Sequence, residues 1–277
     1  MKNWSHMSRS HLGKLIYRGV IFISALVYYI VRLATGTKYG EENVLFVSFG
    51  EGVPVLLIIM AVVFLGEMVL RLFPTKHEAI GNQKVFKVNY IPTTNDAILK
   101  PRKQHWARTL LVFGSWTLLN LIIGGVHFFG KGKIISDDVM VLICLAYSVC
   151  DLICIMFFCP FQAWMMKNKC CTTCRIYNWD YPMIFTPFIF LILKPGPILH
   201  YVMLGGALIV WLLWEINYLR HAERFTENTN DRLSCKSCNE KLCRHNKFFP
   251  CKSALKKSTE DKNELNQNTE QPNNIAK

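Results

Sequence analysis

Charge is scarce in this chain. Asp, Glu, Lys and Arg make up only 18% of its residues, against roughly 25% in soluble globular domains. That shortage excludes an ordinary water-soluble fold. Acidic residues are scarcer than basic ones, 19 against 32, for a formal net charge of +13. Several catalytic signatures are also missing: there is no P-loop, no GxGxxG, no HExxH and no hydrolase nucleophile elbow. Each of these ties a known chemistry to a spacing, so no reaction can be assigned from motif. No internal repeat stands out, which leaves little support for a small transporter built on inverted repeats. No small-x-small cleavage site follows the first apolar block at 15–33. That block is also longer than the apolar core of about 7–15 residues in a secretory signal, so it reads as a retained first span.

What the chain has in abundance is apolar sequence, 51% of its 277 residues, gathered in long blocks with the charges between them. A bilayer core needs about 20 apolar residues as helix. Blocks 15–33, 53–73, 107–129, 139–159 and 198–219 meet that need. A sixth, "YPMIFTPFIFLIL" at 181–193, is short, and Pro182 and Pro187 predict a kink within it. The expected fold is an all-α integral membrane protein, a bundle of about six transmembrane helices. Residues 1–219 form the membrane domain, 220–252 a Cys/His-rich segment, and 253–277 a polar tail with too little apolar surface to order itself. The basic stretch 74–106 includes "KVFKVNY", whose weak alternation allows a short strand or interfacial element.

Lys and Arg favour the cytoplasmic side of membrane proteins. With six spans and both termini cytoplasmic, 27 basic residues fall inside and 5 outside. Treating 181–193 as a re-entrant loop would put the basic C-terminal segment on the wrong side, so a true sixth span is expected. The location expected is the plasma membrane, multi-pass. The inner basic excess suits anionic lipid headgroups as partners, worth about 1 kcal/mol per residue near the surface. No nucleic-acid partner is expected.

Eight of the eleven cysteines lie in two knots, both on the side assigned to the cytoplasm. The first comprises Cys159, Cys170, Cys171 and Cys174. The second comprises Cys235, Cys238, Cys243 and Cys251, with His245 between the last two. A reducing compartment disfavours disulfides, and the surrounding lysines and arginines argue against buried packing. Dense cytosolic cysteine reads as metal binding or redox chemistry. Cys171-x2-Cys174 and Cys235-x2-Cys238 are knuckles in which two thiolates can converge on one ion. Zinc accepts three thiolates and an imidazole, or four thiolates, and His245 leans the second knot toward it. The Cys-only first knot, with Pro160 after Cys159, leaves an iron–sulfur cluster open, although the ferredoxin spacings are absent.

Within the membrane, Asp151 is the candidate functional carboxylate, because an ionisable group at that depth is costly. Cys144, Tyr147, Ser148, Asp151 and Ile155 form one helical stripe with Cys150 and Cys154 beside it, a face expected to turn into the bundle. The competing structural reading makes Asp151 protonated interhelical glue. Glu67 and Arg71 are spaced as a helical ion pair, Glu215 and Asn217 as lining of an inner vestibule, and Asn120 lies at the depth of Asp151. Haem is disfavoured: His105 and His127, like His200 and His221, are about 33 Å apart along a helix, which puts all four at the water boundary. The leading functional expectation is membrane electron transfer through cytoplasmic metal centres, with a cytosolic or membrane redox partner and Asp151 handling a coupled proton. The alternatives are a non-catalytic zinc-stabilised scaffold and, with less support, a small transporter using Asp151 as its ion site.

Overall fold

The computed structural model describes residues 6–35, 55–73, 91, 102–130, 134–167, 174–192, 198–225, 229–230 and 233. Among them there is no β-strand. The long helices are α1 His6–Thr35, α2 Val55–Leu72, α3 Arg102–Phe129 and α4 Asp137–Met156. Two short helices, α5 Asp180–Ile184 and α6 Phe188–Ile192, precede the long α7 Ile198–Arg220. Four helical segments are long and apolar enough to cross a membrane: Ser10–Val31, Trp106–Phe129, Asp137–Met156 and Ile198–Arg220. On that ground the chain is a mostly helical membrane protein.

Local sequence explains where the elements stop. The Ser136 side chain caps α4 by accepting from the Val139 N–H, and Asp137 and Asp138 add negative charge to the first turn, where the helix dipole favours it. Beyond Met156, Pro160 ends the regular helix, and a wide single turn, Phe161–Met166, follows. That turn closes at Lys167, whose φ of 50° places a non-glycine residue in the left-handed region. The kink predicted at 181–193 is a full break: Phe185–Pro187 form a turn between α5 and α6, and the Thr186 hydroxyl donates to the Pro182 carbonyl at 2.7 Å.

In lipid, helices associate through close packing and polar contacts, since water expulsion no longer drives them together. Here α1 lies along α4, and α2 along α7. Gly206 of α7 marks a close approach: a Cβ there would stand 3.0 Å from the Met68 sulfur and 3.3 Å from a Leu65 methyl carbon. The main core draws Phe64, Met68, Leu145, Tyr181, Phe185, Phe188 and Met203 from five helices. A smaller cluster joins Val112 of α3 to Met166, Cys174 and Trp179. The possible strand KVFKVNY, at 84–90, and the polar tail fall outside the described residues; Ile91, next after that stretch, donates its N–H to the Thr229 carbonyl at 2.8 Å.

Candidate functional site

The bundle buries an unusual set of charges at one end. Arg18 of α1 is 2% exposed. One of its terminal nitrogens is paired with Glu67 of α2, and the other donates to the Ser148 carbonyl of α4 at 3.1 Å and stands 3.9 Å from Asp151. The Tyr181 hydroxyl donates to the same Glu67 oxygen at 3.0 Å. Arg71 engages both oxygens of Asp180, at 2.6 and 2.5 Å, and stacks over Tyr181. The expected Glu67–Arg71 helical pair is therefore replaced by partners from other helices. A pair along one helix is worth only about 0.2–0.5 kcal/mol. A buried guanidinium needs a better-matched, desolvated acceptor, and Arg18 and Asp180 supply the tertiary alternatives.

A second ion pair holds the neighbouring corner. Arg175 donates to Glu215 of α7 at 2.5 Å, and the Trp179 indole N–H donates to the other Glu215 oxygen at 2.7 Å. The guanidinium also stacks on Trp106 and Tyr218, 4.2 and 4.7 Å from their ring centroids. Both Glu215 oxygens are thus engaged, and the Asn217 side-chain oxygen accepts from Arg224 at 2.9 Å.

Between α3, α4, the turn after it and α5 lies a cleft of about 490 Å3. Asp151, Cys150, Cys154, Cys159 and Cys174 all line it, as does Asp180. Its remaining wall is overwhelmingly apolar and aromatic. Trp116 anchors that wall, 4.6 Å from Tyr147 and 5.9 Å from Phe161 between ring centroids, with its indole N–H donating to Thr186 at 3.2 Å. The expected stripe on α4 turns inward as drawn from the sequence: Cys144 and Ser148 are buried, and Tyr147 and Asp151 are half-buried. Asn120, also buried, accepts weakly from the Tyr147 hydroxyl at 3.5 Å.

The cleft's thiols are not equivalent. The Cys159 sulfur accepts from the Gln162 N–H at 3.4 Å, whereas Cys154 sits on the last turn of α4 and faces the same cleft. The two residues straddle the end of α4, so their shared cleft depends on the chain turning back after Met156. Spacing rules for an unbroken helix could not have found it.

Of the predicted metal ligands, Cys159 and Cys174 share this cleft. Cys170, Cys171, Cys235, Cys238, Cys243, His245 and Cys251 lie outside the described residues. Among the described residues, no three His, Cys, Asp or Glu side chains are grouped so as to hold a metal ion. The histidines weighed for haem have other surroundings. His127 is fully buried, bonded to the Ile135 carbonyl at 2.7 Å and 3.4 Å from Asp137, and His200 packs edge-on against Phe188. His221 bonds to Glu223 at 3.1 Å. The side chain of His105 falls outside the described residues. No known protein family, curated protein or solved structure matches this chain.

Proposed function

We propose that the chain is a six-span membrane protein with both termini cytoplasmic, carrying electrons through thiols at the inner end of α4. The observation that supports this most directly is the shared cleft of Cys154, Cys159, Cys174 and Asp151. Thiols gathered beside a carboxylate supply the parts of a proton-coupled two-electron couple. Six spans and the orientation rest on the division of 27 basic residues from 5 and on α2 and the α5–α6 pair serving as second and fifth crossings. In that arrangement the buried charges and the thiols all lie near the inner face.

The test is anaerobic purification of the full chain, poising in glutathione buffers, and differential alkylation read by mass. The expected result is that Cys154 and Cys159 interconvert together between free and linked forms, while buried Cys144 stays a thiol throughout. If Cys154 and Cys159 remain separately alkylatable at every potential, the redox reading fails.

A second reading, a zinc or iron–sulfur site, is favoured by one observation: Cys159 and Cys174 face the same cleft. In that reading they act with Cys170 and Cys171, and Cys235, Cys238, Cys243, His245 and Cys251 furnish a second set. Zinc there would also serve a non-catalytic scaffold on anionic lipid. One equivalent of metal in the same preparation, with Cys159 shielded from alkylation until chelation, would select it.

A further inference from the structure

Resting on the thiol-redox reading, we propose that the cleft receives the headgroup of a membrane quinone, which the Cys154–Cys159 pair reduces. The volume, about 490 Å3, falls within the roughly 300–1,000 Å3 of small-molecule sites. The wall is apolar, with the rings of Trp116, Tyr147 and Phe161 set at angles around one side. Such a wall accepts a flat, uncharged ring. The rim includes Cys150 and Ile153, exposed on the flank of α4, and Phe158 just beyond its end, the last two exposed by 42% and 44%. The cleft therefore opens sideways, where a long apolar tail can remain in lipid while the ring enters.

Charge excludes the water-soluble two-electron acceptors. Nicotinamide and flavin nucleotides carry phosphates, which need cations or oriented backbone N–H groups. The charged groups lining this cleft are the carboxylates of Asp151 and Asp180. The guanidiniums that face those two carboxylates are committed: Arg18 pairs with Glu67 and stands near Asp151, and Arg71 pairs with Asp180. A neutral quinone suffers no such repulsion.

The reaction balances without another participant. The S–H bonds of Cys154 and Cys159 break, one S–S bond forms between them, and two electrons and two protons pass to the quinone. Its two carbonyl oxygens become the hydroxyls of a quinol. Cys154 and Cys159 line one cleft, five residues apart across the end of α4, so closure asks only for a local approach. Asp151 lies one turn before Cys154 on the same helix and faces the same cleft. It is placed to take the Cys154 proton and pass it to a quinone oxygen, and Arg18 at 3.9 Å steadies it from outside hydrogen-bond range.

The experiment uses the full chain in detergent, reduced and freed of reductant without air, with decylubiquinone as the probe. The ring of that quinone is fully substituted, so thiols cannot arylate it. One quinone reduced per chain is expected, together with a Cys154–Cys159 linked peptide. Cys154→Ser and Cys159→Ser should abolish both. Ile153→Trp, which obstructs the rim, should slow the quinone reaction at least tenfold and slow oxidation by the smaller, water-soluble diamide much less. Asp151→Asn should slow it similarly without altering the stoichiometry. A chain that forms the same disulfide with diamide but is inert to the quinone overturns the quinone assignment and leaves the thiol reading standing. Inertness to both oxidants removes the two together. An Ile153→Trp chain as fast as the parent places the reaction elsewhere.

Discussion

Two adjoining regions at one end of the bundle treat polar groups in opposite ways. In the seam of Arg18, Glu67, Arg71, Asp180 and Tyr181, charges meet opposite charges across helices, and Arg18 and Asp180 are almost wholly buried. In the adjoining cleft, Cys154 and Cys159 line open volume, and the Cys159 sulfur accepts from the Gln162 N–H. Matched groups fix helix positions. Reactive groups beside empty space can meet another molecule. Asp180 and Asp151 belong to both, each near a guanidinium on one side and lining the cleft on the other, which is why the two sequence readings of Asp151, glue and function, need not compete.

The largest break comes from removing the central cation. Arg18→Met leaves Glu67 and Asp151 without their guanidinium, and losing one partner of a buried pair costs about 3–5 kcal/mol. Denaturant unfolding in detergent, followed by circular dichroism, should show that loss. Arg18→Met combined with Glu67→Leu should recover most of it, because no buried Glu67 carboxylate is then stranded. Cys154→Ala on the cleft side should cost only about 1 kcal/mol. Equal costs for Arg18→Met and Cys154→Ala would erase the distinction between the regions.

A smaller difference is expected from bulk. Gly206→Leu forces a side chain against Met68 and Leu65, where α7 and α2 nearly touch, and overpacking of this kind costs about 1–3 kcal/mol. Cys150→Leu, at the exposed rim of the cleft, should change stability by no more than about 0.5 kcal/mol. Arg175→Lys sits between these: the charge stays, while the planar stacking on Trp106 and Tyr218 is lost, worth about 1 kcal/mol. The same unfolding curves, compared at their midpoints, check all three variants.

The sequence made much of the membrane architecture legible because bilayer thickness and helical period act on local stretches. The four spanning helices, the inward face of α4 and the break near Pro187 follow from apolar length, stripe and proline. Partner choice was not legible. Glu67 and Arg71 satisfy a local spacing rule, yet each takes a stronger partner from a distant helix, and Arg18 reads as one more basic residue flanking the first span. A usable signal was nonetheless present. The expected topology puts Arg18, Glu67, Arg71, Asp180 and Glu215 toward the same membrane face, a concentration of both signs that implies cross-helix pairing. The cleft shared by Cys154 and Cys159 carried no such signal, because it forms across the end of a helix.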